Sequence, residues 1–108
     1  MNGPALASGG PSRALGSGDL LARYLKLTKE ALARVRPGTP ERSFLRSGSD
    51  DVLAMARAYV TDAEHFSKIG DPERALAAVS YAHGWLDAGV RLGLLEGGGD
   101  ESRFTLYR

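Results

Sequence analysis

The sequence predicts an all-α protein: a three-helix antiparallel bundle running up-down-up, with a flexible N-terminal tail and a short extended C-terminal tail. Three observations predict it. Apolar residues recur at helical spacing over three separate stretches. Breakers separate those stretches, Pro37-Gly38 after the first and Gly70-Asp71-Pro72 between the second and third. The third stretch is apolar over more than half its circumference, so it must touch two neighbours. The expected organisation is a tail over residues 1–18, a bundle over 19–95 and a Gly-rich hinge with an apolar tail over 96–108.

The tail from Met1 to Gly18 is Gly, Ser, Ala and Pro around Arg13, a composition that cannot bury enough surface to offset its ordering entropy. The first helix is expected over 19–35, with Asp19 as N-cap and Pro37-Gly38 beyond its end. At about 100° per residue, Leu21, Tyr24, Leu25, Thr28, Ala31, Leu32 and Val35 share one face. Arg23, Lys26, Lys29, Glu30 and Arg34 share the other. In the connection that follows, Phe44 and Leu45 are expected to lid one end of the bundle.

The second helix is expected over 50–69, capped by Ser49. Val52, Ala56, Tyr59, Ala63 and Phe66 alternate at spacings of four and three and form a bundle seam. Glu64 and Lys68 are placed for an i,i+4 ion pair. The junction carries the sharpest local signal: Gly70 suits C′, Asp71 the N-cap, Pro72 the first helical position and Glu73 the positive end of the helix dipole. So short a junction turns the third helix antiparallel to the second.

The third helix is expected over 72–95, with Ala75, Val79, Ala82, Leu86, Val90 and Gly93 at the centre of its apolar arc. Tyr81, Trp85 and Leu92 extend one flank, and Leu76, His83 and Leu94 the other. It is therefore the spine, with the other two helices packed on its flanks. Phe104, Thr105, Leu106 and Tyr107 form a strand-like tail that either folds back or adds to a partner's edge.

Composition narrows the function classes. The 108 residues contain no cysteine, which excludes disulfides, thiolate nucleophiles and Cys-based metal sites and fits a reducing compartment. No apolar run approaches the roughly 20 residues of a membrane span, and the N-terminus lacks a secretory pattern, so the protein is expected in the cytoplasm. The net charge of +1 hides an asymmetry, with net +5 over residues 1–48 and net −4 over 49–108. Attraction within one bundle accounts for it better than a basic nucleic-acid face does.

No catalytic, cofactor or metal set emerges. His83 and Asp87 sit at i,i+4, but a third ligand is missing, and an imidazole on the edge of an apolar arc reads as a packed histidine. Asp87 and Arg91 form a further i,i+4 pair, read as a surface salt bridge. The glycines of the third helix say more, because each costs about 1 kcal/mol relative to Ala. Gly89 and Gly93 fall on the core arc, where a missing side chain lets helices approach. Gly84 lies among Ser80, Asp87, Ala88 and Arg91, where core packing does not require it.

The stretch YAHGWLDAGVRLGLL, Tyr81 to Leu95, resembles the archaeal domain-of-unknown-function family numbered 357. The preceding DAEHFSKIGDPERAL, Asp62 to Leu76, and the closing Phe104-Thr105-Leu106 also look like it, so the likeness covers roughly Asp19 to Tyr107. The resemblance implies a small helical bundle of archaeal origin, and it brings no activity and no catalytic residues.

The functional expectation is a non-enzymatic protein–protein interaction module that docks a partner protein, or a second copy, through Ser80, Gly84, Asp87, Ala88 and Arg91. The alternative is nucleic-acid binding on the basic face Arg23, Lys26, Lys29 and Arg34. A third reading is a small enzyme or ligand carrier using His83, Asp87 and Trp85. No cofactor and no membrane contact is expected.

Overall fold

A computed structural model describes residues 17–97. The chain forms α1 (Ser17–Arg34), β1 (Arg36–Pro37), α2 (Arg46–Lys68), α3 (Pro72–Arg91) and β2 (Leu95–Glu96) in that order. The protein is thus all-α in class, with one two-residue ladder added: β1 and β2 pair antiparallel, Arg36 with Glu96 and Pro37 with Leu95. Of the tail expected over residues 1–18, residues 1–16 lie outside the described residues, as does the segment Phe104–Tyr107, whereas Ser17 and Gly18 belong to the first turn of α1.

As the width of its apolar arc predicts, α3 packs against both other helices, while α1 and α2 touch little. Two apolar clusters fill the interior. One gathers Ala31, Val35, Val52, Leu53, Ala56, Leu86 and Leu95. The other gathers Leu21, Ala63, Ala75, Ala78 and Val79, with Tyr24, Tyr59 and Phe66 packed against it. The expected α1 face is turned inward; of the α2 seam, Val52, Ala56 and Ala63 are buried, together with Leu53 and Val60, while Tyr59 and Phe66 are half-buried at its edge.

The junction between α2 and α3 follows its sequence. Gly70 adopts φ +78°, a left-handed conformation that costs glycine nothing. The Gly70 N–H donates to the Ser67 carbonyl at 3.2 Å and the Asp71 N–H to Phe66 at 2.9 Å, the paired bonds of a Schellman end. The Asp71 carboxylate accepts from the Arg74 N–H at 3.1 Å, and Pro72 takes the first turn.

The same termination recurs where the sequence had the helix continue. α3 ends at Arg91 rather than Leu95. Gly93 adopts φ +78°, its N–H donating to Val90 and the Leu94 N–H to Gly89. Gly93 is therefore a C′ residue, exposed and with open space where a Cβ would stand, and not a core contact. Leu95 instead turns back into the core at 3% exposure, a burial that contributes about 2 kcal/mol. A Cβ on Gly89 would stand 2.6 Å from Leu95 Cδ1 and 3.0 Å from Val52 Cγ1, so Gly89 is the close-approach glycine its position suggested.

α2 begins at Arg46, and Ser49 is not its cap; Leu45 holds that position without a side-chain bond. The reason is tertiary. Ser49 is buried inside the first turns, and its hydroxyl donates to the Leu94 carbonyl at 2.6 Å. With its one proton used there, Ser49 accepts from the Thr39 hydroxyl at 2.7 Å. The Leu94 carbonyl also accepts the Gly38 N–H at 2.9 Å. Phe44 and Leu45 do not lid the bundle: Phe44 is 86% exposed and Leu45 also faces solvent. Leu94 and Leu95, returning from α3, fill that end instead. Glu64 reaches across to Lys29 of α1 at 2.6 Å rather than along α2 to Lys68.

Ser49→Ala should lower stability by about 1–2 kcal/mol, since it strands the Thr39 hydroxyl and removes a bond to Leu94. The urea midpoint measures this; an unchanged midpoint would mean that water replaces the hydroxyl.

Candidate interaction face

Three groups of side chains were singled out by the sequence, and the fold sends them to different places. His83 is buried at 3% exposure, with its Nδ1 3.3 Å from Oγ1 of Thr28, which is also buried. Which atom donates depends on the tautomer. The pair sits between the two apolar clusters and ties the middle of α3 to the middle of α1. Asp87 is turned away, its carboxylate 3.0 Å from Arg91 Nε. Trp85 lies on another side again, lining an open hollow together with Tyr59. Neither His83 nor Asp87 lines that hollow. Among the described residues, no group of three His, Asp or Glu could hold a metal ion.

Arg23, Lys26 and Arg34 are exposed along α1. Lys29, between them, is engaged by Glu64. The basic face is thus interrupted at its centre by an acid from α2.

The outer side of α3 is where shape appears. Gly84 and Ala88 are exposed, and a Cβ on Gly84 would meet nothing within 4 Å. Beside them, Tyr59, Tyr81 and Trp85 complete an open hollow of about 390 Å³. A second hollow of about 460 Å³ lies on the far side of Tyr81, walled by Tyr59, Phe66, Ala77 and Ala78 and bordered by Asp62 and Arg74. Tyr81 is the ridge between them, in edge-to-face contact with Tyr59 at 5.0 Å. Arg74 lies 5.9 Å above the Phe66 ring, with its guanidinium 3.5 Å from Asp71.

The expected face is brought together in part. Gly84 and Ala88 join the aromatic hollow, whereas Ser80, Asp87 and Arg91 form a polar rim along the neighbouring strip of α3. One expected apolar flank of α3 is not covered by the described residues. Tyr81, Trp85 and Leu92, which the sequence places on that flank, are 63%, 37% and 73% exposed. Helical spacing alone could not locate them, because a wide apolar arc looks the same whether a neighbour covers all of it or only part.

With this geometry in place, the comparison with known proteins is informative. The family model described as a protein of unknown function, DUF357, matches residues 23–95. The chain belongs to the DUF357 family. The match is shorter at both ends than the likeness read from the sequence, and leaves out the tail at Phe104–Tyr107. No curated protein and no solved structure matches the chain. Within the DUF357 segment from Tyr81 to Leu95, most residues have a structural task. His83 and Leu86 fill the interior, Gly89 admits Leu95, and Gly93 ends the helix. Gly84 has none, and neither does the exposure of Tyr81.

Two glycines of one helix should therefore respond oppositely to the same change. Gly84→Ala should gain about 0.5–1 kcal/mol for the single chain at low protein concentration, because the helix improves and nothing within the chain is crowded. Gly89→Ala should lose about 1–3 kcal/mol through overpacking against Leu95 and Val52. Thermal melts of the two variants measure the contrast, and equal shifts would refute the packing assignment.

Proposed function

We propose that this DUF357 protein is a non-enzymatic protein–protein interaction module whose outer α3 face docks a helix of another chain. The observation that carries this reading is the aromatic-walled double hollow around Tyr81, next to the smooth surface of Gly84 and Ala88. Aromatic side chains that stay half in water provide large contact area when a partner removes them from it. Small residues beside them let a helix backbone approach closely. Arg91 and Asp87 supply a polar rim that sets orientation.

The helices of this module run up-down-up. Support comes from the three-residue turn between α2 and α3, and from the antiparallel pairing of the segments that follow α1 and α3. A cytoplasmic setting fits the lack of cysteine. No described helix is long and apolar enough to cross a membrane. Nucleic-acid binding by Arg23, Lys26, Lys29 and Arg34 ranks behind docking, because Glu64 already neutralises Lys29. The enzyme reading ranks last, since Thr28 holds His83 in the interior and Arg91 engages Asp87.

A photo-reactive phenylalanine in place of Tyr81 should form an adduct with a protein when cells expressing the variant are irradiated, and the same probe at Lys26 should not. Adding Arg91→Glu should reduce the adduct several-fold. Absence of any adduct at position 81, or equal adducts at both positions, would overturn the docking reading.

A further inference from the structure

The outer face of α3 has a regular spacing of its own. Arg74, Ala77, Tyr81, Gly84, Ala88 and Arg91 follow one another at alternating intervals of three and four residues. That is the spacing of a helix–helix seam. It lies on the opposite side of α3 from Ala75, Val79, Ala82 and Leu86, which are buried against α1 and α2. One helix therefore carries two seams, and among the described residues only one of them is covered by its own chain.

From this second seam we infer that the docking face pairs with a second copy of this chain, α3 against α3 in antiparallel orientation; this rests on the docking reading above. The argument is self-complementarity under a single rotation. A two-fold axis at the level between Ala82 and His83 sets Ala77 opposite Ala88 of the second copy, and Tyr81 opposite Gly84 of the second copy. The largest residue of the seam then meets the one with no side chain. Each Tyr81 ring enters the hollow beside Gly84, whose volume of about 390 Å³ has room for an aromatic ring. A parallel pairing would instead stack Tyr81 on Tyr81 and Gly84 on Gly84, leaving both hollows unfilled.

Charge follows the same axis. Glu73 and Arg91 are exposed and lie on the same side of the seam, near its two ends. In the antiparallel pair each Glu73 stands beside Arg91 of the second copy, and the contact occurs twice. Arg74 would otherwise bring like charge to Arg91 of the second copy, but it is drawn toward α2 by Asp71 and the Phe66 ring. Within one chain Glu73 and Arg91 are 18 residues apart on one helix, about 27 Å, so they cannot pair there.

The test is the mass of the full chain in solution, by sedimentation velocity with light scattering over a broad micromolar range. The expected result is a dimer. Glu73→Arg and Arg91→Glu should each raise its Kd by about tenfold or more, and the double exchange should restore it. Gly84→Leu should give a monomer with unchanged helical circular dichroism, because position 84 is open in the single chain. A wild-type monomer throughout, or a double exchange weaker than either single one, would overturn self-pairing. The Tyr81 photo-probe separates the two ideas. An adduct of the purified chain with itself supports both. A monomer that reacts at position 81 only with another protein overturns self-pairing and leaves docking standing. A probe that reacts with nothing removes both.

Discussion

The fold depends on one carbonyl. Leu94 O accepts the Gly38 N–H from the residue just after β1 and the Ser49 hydroxyl from the first turns of α2, and it sits just beyond the end of α3. One acceptor thus links the ends of all three helices. Its position is set by the left-handed Gly93, which stops α3 and reverses the chain. Leu95 then drops over Gly89 into the cluster formed by Ala31, Val52 and Leu86. Without the reversal, that end of the bundle would lack its apolar plug, because Phe44 and Leu45 face solvent.

With that end closed, α3 is held along its inner side by α1 and α2, and the described residues leave much of its outer side exposed. The Thr28–His83 contact keeps the middle of the helix in register with α1. Buried polar pairs of this kind specify alignment more than they add stability. The surface ion pairs, Lys29–Glu64 and Arg36–Glu96, are solvent-exposed and contribute little on their own. The partly uncovered spine is what the docking proposal builds on: a helix face with two aromatic-walled hollows on either side of Tyr81.

The apolar faces of α1 and α2 were legible because periodicity reports which side of a helix is turned inward. The α2–α3 junction was legible because Gly, Asp and Pro each answer a local backbone need. Ser49 was misread for the converse reason. A serine before a helical stretch is normally a cap, and the bond that buries this one comes from a residue 45 positions away. Leu94 and Leu95 were read as helix because two leucines after a glycine continue the apolar pattern, while the positive φ at Gly93 appears only in three dimensions. The candidate face was legible at Gly84, a glycine that no core contact explains. Its aromatic neighbours were not, since Tyr81 and Trp85 look like core residues until α1 is seen to pack on the His83 side of α3 instead.

The sequence by itself determined the helical class, the three apolar faces, one turn and the family. The class, the faces and the turn follow from spacing or from a residue's own backbone preference, and the family from the resemblance carried by Tyr81 to Leu95. Tertiary structure alone decided where α3 stops, what plugs the end of the bundle, and which of the two apolar flanks of α3 stays in water. Those outcomes depend on contacts between residues far apart in the chain. Periodicity tells how wide an apolar surface is, but the number of helices available to cover it decides how much is left for a partner.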